Sequence, residues 1–207
     1  MAPDAHIEVA PMPADTALFE DAPATRTPGR VLFVGRLNAQ KGLAELLEAM
    51  SWVGPGATLD VVGDGDDAAP LRARTESLGL ATRVRFLGAV PRTALPAAYR
   101  GAQVVVIPSR DEGLGLVAVE AQLCRTPVIA YRSGGLPDVV DPSWGGTLVP
   151  AGDARALADA ITRALEGPDR AAALGATARA QMLARFSPPA VAAGYRDRYV
   201  EALARAR

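Results

Sequence analysis

Short apolar runs alternate along this chain with stretches in which apolar residues return every third or fourth position. Val31-Leu32-Phe33-Val34 has the continuous apolar character of a strand buried on both faces, and Leu59-Asp60-Val61-Val62, Val84 to Leu87, Val104-Val105-Val106-Ile107, Val128-Ile129-Ala130 and Thr147-Leu148-Val149 read as further strands. Between them the period is helical. Leu43, Leu46, Leu47 and Met50 point one way from a helix over 43–53, a second helix reaches about Leu78, and a short one covers Ala94 to Arg100. From Leu116 the stripe is Leu116, Val119, Leu123 and Cys124. A helical turn is expected near Pro137. Asp153 caps a helix over 154–165 with Leu157, Ile161 and Leu165 on one face. Two further helices, 169–185 and 189–206, are parted by Ser187-Pro188-Pro189. Strand and helix in alternation predict an α/β fold, a Rossmann-like doubly wound parallel sheet of about six strands with helices on both faces. The domain is expected over 30–185, preceded by a Pro-, Ala- and acid-rich segment, 1–29, read as a linker or an entering strand, and followed by a final helix, 186–207.

The unit from 103 to 135 carries the most chemistry. Its apolar run stops at Pro108, which has no amide hydrogen to extend a ladder. A polar loop, Ser109-Arg110-Asp111-Glu112, leads into Gly113-Leu114-Gly115 and then the helix. Glu112 lies where loop becomes helix, and Glu120 lies inside an otherwise apolar stretch. On a continuous helix they would be separated by about 12 Å of rise. The amides of Gly113, Leu114 and Gly115 open the helix, where unpaired N–H groups and the helix dipole favour an anion. An anion site with a carboxylate on each side suits a phosphorylated, hydroxyl-rich ligand. Read by spacing alone, the same two residues are equally a capping and a surface glutamate.

Two other strand-to-helix loops compete for a phosphate. Gly35-Arg36…Lys41-Gly42 follows the first strand and places two cations at the sheet edge where a diphosphate would lie. Arg offers a two-pronged donor and Lys a point charge. The order Lys-Gly is not that of a Walker A loop. Gly63-Asp64-Gly65-Asp66-Asp67-Ala68 fits a dinucleotide fingerprint, but the next strand ends without the acid that fingerprint needs. It also contains an Asp-x-Asp of the kind that holds a divalent metal beside a diphosphate. With the cationic loop present that metal is redundant, and 63–67 is expected to be a turn supplying backbone shape.

Composition narrows the field. Hydrophobic residues make up 49% and charged residues 22%, with a net charge of −1, so nothing draws the chain electrostatically to nucleic acid or a membrane. No apolar run has the length of a membrane span, and the start lacks a basic-then-apolar leader pattern. A single cysteine, Cys124, excludes an internal disulfide and fits a reducing compartment, so a cytoplasmic location is expected. With one cysteine and one histidine no zinc site of the usual kind can form, and no metal site is expected. A hydrolytic triad would have to use His6 in the Pro-rich N-terminal segment. Cys124 reads as core packing. Lys41 is the sole lysine among many arginines, which points to a compact ammonium being wanted there.

The run PSRDEGLGLVAVEAQLCRTPVIA, followed by SGGLPDVV, resembles the E-x7-E signature of the retaining glycosyltransferases of family 4, which have the GT-B fold. The resemblance extends from about residue 7 to the C-terminus. It implies the donor-binding half of a hexosyltransferase. Arg36 and Lys41, with Gly113, Leu114 and Gly115, would hold the diphosphate of a UDP- or GDP-sugar substrate, Glu120 its ribose and Glu112 its sugar hydroxyls. The same resemblance gives the catalytic set as Arg36, Lys41 and Glu112, and sets Gly35, Gly63, Phe86 and Leu87 around the donor, Phe86 to Val90 cupping the base. Gly134-Gly135-Leu136-Pro137-Asp138 resembles a family turn, but a helix-start turn is the better reading of it. Pro11-Met12-Pro13-Ala14-Asp15 with Phe19 resembles the family's hinge, with Met12-Pro13 where Gly is usual. A preceding acceptor-binding domain is implied as partner, with the last helix and its Phe186, Tyr195 and Tyr199 packing back on it. Transfer with retention, no cofactor, no metal, no nucleic acid and at most peripheral membrane contact follow from the same source. A non-catalytic nucleotide-binding module and a dinucleotide-dependent oxidoreductase or epimerase are the alternatives.

Overall fold

The structure, a computed structural model, describes residues 10–23 and 26–205. Six strands form one sheet: β1 (Arg30–Val34), β2 (Thr58–Val62), β3 (Val84–Gly88), β4 (Val104–Ile107), β5 (Val128–Tyr131) and β6 (Gly146–Val149). Their order is β3-β2-β1-β4-β5-β6 and every pairing is parallel. The helices are α1 (Leu43–Trp52), α2 (Ala68–Ser77), α3 (Leu95–Gly101), α4 (Leu116–Leu123), α5 (Leu136–Val139), α6 (Ala154–Glu166), α7 (Pro168–Phe186) and α8 (Pro188–Arg205).

The period-two alternation of the strands divides the interior. Val31, Phe33, Val104, Val106, Ile129 and Tyr131 face α1, α2 and α6, while Leu32, Val105, Ile107, Val128 and Ala130 face α3, α4, α5 and α7. This is why the inner strands β1, β4 and β5 carry apolar residues at consecutive positions, each meeting a helix layer, whereas the edge strand β3 alternates buried and exposed residues. Because β2 lies on one side of β1 and β4 on the other, the loops that leave β1 and β4 diverge to opposite faces. The crevice between them is where ligands settle in open sheets of this kind.

Three features differ from expectation. The segment before β1 is more than a linker: Phe19 is fully buried in the second core, the Ala14 amide donates to Phe186 O at 2.8 Å, and Arg179 donates to Phe19 O at 2.7 Å. Leu116, expected inward, is exposed, because α4 begins only there and its first residue sits at the mouth of the helix. Phe186, expected in the last helix, instead ends α7 and is buried in the second core; within α8, Val191 is buried, while Tyr195, Tyr199, Val200 and Leu203 are exposed. His6 lies outside the described residues.

Candidate functional site

The first wall of the site is the loop between β1 and α1. Asn38 caps a short 3-10 turn, Ala39–Lys41, by accepting the Lys41 amide at 3.2 Å. Gly42 then takes a φ of 70°, and a Cβ there would come within 2.0 Å of Pro108 O. The chain therefore crosses the end of β4 at a distance only glycine permits. That crossing sets Lys41 Nζ 2.7 Å from Glu112 Oε2. Arg36, at the start of the loop, is exposed and makes no ion pair among the described residues, so the structure ties it to neither glutamate.

The second wall, the loop between β4 and α4, is clamped from both sides. Gln40 donates to Asp111 O at 2.7 Å, the Arg110 amide donates to Gln40 O at 3.0 Å, and Arg110 Nε reaches Glu45 at 2.7 Å. From the β5 side Ser133 Oγ donates to Arg110 O, and the Gly135 amide donates to Glu112 O at 2.8 Å. Gly134 has a φ of 53°, and a Cβ there would lie 2.0 Å from Glu112 O. The Gly134-Gly135 turn is thus both a helix start and the backing of the Glu112 loop. Gly134→Ala is expected to displace that loop and cost about 2–3 kcal/mol, an overpacked backbone added to a strained φ. Gly152 has a φ of 80° with open space around it, so Gly152→Ala should cost about 1–2 kcal/mol. Urea denaturation of the two variants measures the difference.

Gly115, at a φ of 74°, caps α4, and its carbonyl receives the amides of Ala118 and Val119. The first amides of the helix have no partner in the helical ladder, and Gly113 and Leu114 precede them in the loop. Since α4 starts at Leu116, the continuous-helix spacing of the two glutamates does not hold. Glu112 stays in the loop, and Glu120 lies about one turn, or about 6 Å of rise, inside the helix. There it is buried, with Tyr99 donating to Oε2 at 2.9 Å and Arg92 3.4 Å from Oε1. Burial raises the pKa of the Glu120 carboxyl above its ordinary value, against the Tyr99 hydrogen bond and the Arg92 charge, which lower it.

The remaining residues expected at the site lie in β3 and just after β2. The Gly63 amide donates to Gly88 O at 2.8 Å, and a Cβ on Gly63 would lie 1.9 Å from Gly35 O. Leu37 N donates to Asp64 O and Asp67 N to Leu37 O, both at 3.0 Å. The 63–67 turn is therefore a backbone support for the cationic loop. Its glycines face protein, whereas a dinucleotide fingerprint keeps them open for a pyrophosphate. Phe86 packs on the first core beneath the Arg72 guanidinium, 4.4 Å from the ring centre, whereas Leu87 is exposed. Cys124 is buried and its thiol is pushed up to about 11 by desolvation, the behaviour of a packing residue.

Sequence reasoning did not find Tyr99, Arg92 or Gln40. Tyr99 carried one signal: a buried tyrosine needs a partner for its hydroxyl. Nothing in the sequence said that the partner was Glu120.

Comparison with known proteins gives this geometry a family. Residues 15–181 match the family model described as glycosyl transferases group 1. The D-inositol 3-phosphate glycosyltransferase of Segniliparus rotundus is 38% identical, over 95% of this chain and 47% of that protein. The chain thus spans about half the length of the curated relatives it matches. Among solved structures, the sucrose-phosphate synthase of Thermosynechococcus elongatus superposes with a TM-score of 0.84 at 36% identity, over 95% of this chain and 53% of that one. Anabaena HepE in complex with UDP superposes with a TM-score of 0.82 at 26% identity, over 94% and 57%. A cationic loop and a glutamate-flanked helix mouth on either side of the central crevice, a GT-B-like sheet and a matching family model agree: the chain belongs to the group 1 glycosyltransferases.

Proposed function

We infer that this chain is the donor-binding half of a retaining hexosyltransferase that takes its sugar from a nucleoside diphosphate. Lys41 and Arg36 grip the diphosphate together with the amides of Gly113, Leu114 and Gly115. Glu120 receives the ribose hydroxyls and Glu112 those of the sugar. The base lies by Phe86 to Gly88, held by backbone and by Leu87, with Gly35 and Gly63 shaping the floor. Negative charge grows on the diphosphate as the glycosidic bond breaks, so donors fixed there act on the transition state more than on the ground state, without a metal. The acceptor binds to a preceding domain, against which the exposed Tyr195 and Tyr199 of α8 pack. The enzyme works in the cytoplasm with at most peripheral membrane contact, and the present chain alone transfers little sugar.

The observation that carries this reading is the Lys41–Glu112 contact across the crevice, at the glycine-led mouth of α4. A thermal-shift panel with UDP, GDP and NAD tests it. At ten times its dissociation constant UDP should stabilise the chain by about 1.4 kcal/mol, a rise of about 3–5 °C, with NAD giving none. Glu120→Gln should lose the response. Its own stability should not fall at neutral pH. A carboxyl whose folded pKa is raised adds stability below its unfolded pKa, and that contribution is lost as pH climbs through the folded value. Gln, which cannot ionise, escapes that loss. An equal response to NAD, or an undiminished UDP response in Glu120→Gln, would refute the assignment.

A further inference from the structure

Glu120 is held from two sides, and unequally. Tyr99 is fully buried, and its hydroxyl lies 2.9 Å from Oε2. The ring is fixed by Phe19, 6.0 Å away at an interplanar angle of 56°, and the backbone beneath it by Thr126 Oγ1, which donates to Tyr99 O at 2.8 Å. Arg92 is different. It meets Oε1 at 3.4 Å from an exposed side chain, and the same guanidinium lies 6.0 Å from the Phe19 ring. The inner oxygen of Glu120 is thus pinned by a buried phenol, and the outer one is covered by an exposed cation at a longer distance.

We propose that Tyr99 is a positioning residue of the donor site, which fixes the Glu120 carboxylate from within so that Oε1 alone is presented to the ribose hydroxyls. The proposal rests on the reading that Glu120 receives the ribose. A glutamate two-thirds of the way along an apolar helix would otherwise sample several rotamers, and each donor molecule would have to freeze one of them. Tyr99 does this before the donor arrives, as preorganised sites require. Its pKa is raised well above the ordinary value, chiefly by burial, so the hydroxyl stays a donor throughout the working range. Arg92 then acts as a stand-in for the ribose: it covers Oε1 in the free protein from an exposed side chain, and a ribose hydroxyl displaces it into solvent. The charged and titratable groups facing Glu120 are Tyr99 from α3, Arg92 from the turn before it, Asp15 from the N-terminal segment and Cys124 from the end of α4.

The test is a cycle of variant against ligand on the 207-residue chain. Affinities for UDP and for 2′,3′-dideoxy-UDP are measured by calorimetry from pH 5 to pH 8. Tyr99→Phe should weaken UDP by about tenfold at pH 7.5, the size of a hydrogen bond to a charged group. It should leave dideoxy-UDP unchanged, because that ligand has no ribose hydroxyl for Glu120 to receive. The pH at which UDP affinity falls should move up by about one unit, since the hydrogen bond that favours the carboxylate is gone. Arg92→Gln, which tests the same idea from the solvent side, should tighten UDP by about threefold, the size of an exposed ion pair.

The outcomes separate cleanly. If Glu120→Gln binds UDP as the parent does, the ribose assignment itself fails. If Glu120→Gln is weak but Tyr99→Phe matches the parent, or loses UDP and dideoxy-UDP equally, the positioning role is overturned while the ribose assignment stands. A loss in Arg92→Gln as large as in Glu120→Gln would give the positioning role to Arg92 and overturn the proposal even if Tyr99→Phe did not fold.

Discussion

Lys41→Ala should weaken UDP binding by about 30-fold, close to 2 kcal/mol, while leaving the affinity for uridine unchanged. The expectation follows from where the ammonium sits. Gly42 brings the loop against Pro108 O, so Lys41 emerges at the crevice rather than along α1, and its Nζ is held by Glu112 at 2.7 Å. A diphosphate arriving at the α4 mouth meets this charge already in place, so little side-chain entropy is left to lose. Uridine has no phosphate and gains nothing from it. The fold should hardly notice the change, because the Lys41–Glu112 pair is only partly buried, with side-chain exposures of 26% and 17%, and such pairs contribute about 0–1 kcal/mol. Salt gives a second reading of the same charge. UDP affinity of the parent chain should fall from 50 to 500 mM NaCl more steeply than that of Lys41→Ala. Calorimetry with UDP and uridine at two salt concentrations decides. Equal losses for both ligands would mean that Lys41 shapes the loop and does not hold the diphosphate.

Much of this architecture can be read before any coordinates, and the reasons are local. Val104 to Ile107 followed by Pro108, or Val128 to Ala130 after Pro127, allow little but short buried strands. Asp153 stands at the start of α6 and does cap it, accepting the Ala156 amide at 2.8 Å. The two loops that carry the candidate site were legible for the same reason, since glycines, cations and carboxylates cluster where a strand gives way to a helix. What could not be read is who meets whom across the chain. Glu120 finds its hydroxyl partner 21 residues away and its cation 28 away, and no periodicity encodes either. The burial of Phe19 depends on α7, which passes 160 residues later and delivers Arg179 to its carbonyl. Leu116 shows the opposite failure: its spacing matches the buried stripe, but the left-handed Gly115 starts the helix one residue before it, so Leu116 stays at the exposed end.

Asp60 is the sharpest case of such hidden pairing and gives the largest expected loss of stability. In sequence it is the one polar residue of Leu59-Asp60-Val61-Val62; in the fold it is fully buried in β2 between β1 and β3. Arg30 Nε reaches Oδ2 at 2.6 Å, and Arg85 reaches Oδ1 at 2.7 Å and Oδ2 at 2.9 Å. Both carboxylate oxygens are therefore satisfied by charged donors from the two neighbouring strands, which is what a buried charge requires. Asp60→Ala removes the anion and leaves the half-buried Arg30 without its counter-ion. About 3 kcal/mol of stability should be lost, a fall of about 6–12 °C in Tm for a chain of this size. Arg85→Ala should cost less, because Arg30 still holds Oδ2 and the Arg85 side chain, 61% exposed, already stands in water. Arg30→Ala should cost more than Arg85→Ala, for it strips the closest donors from a carboxylate that cannot reach solvent. The ion triplet lies within the strands and away from the loops that carry Lys41, Glu112 and Glu120, so the folded fraction of each variant should bind UDP with parental affinity. Urea midpoints for the three variants, with UDP titrations below the transition, test both halves of the expectation. An Asp60→Ala protein as stable as the parent would mean that the three strands register through their apolar residues alone.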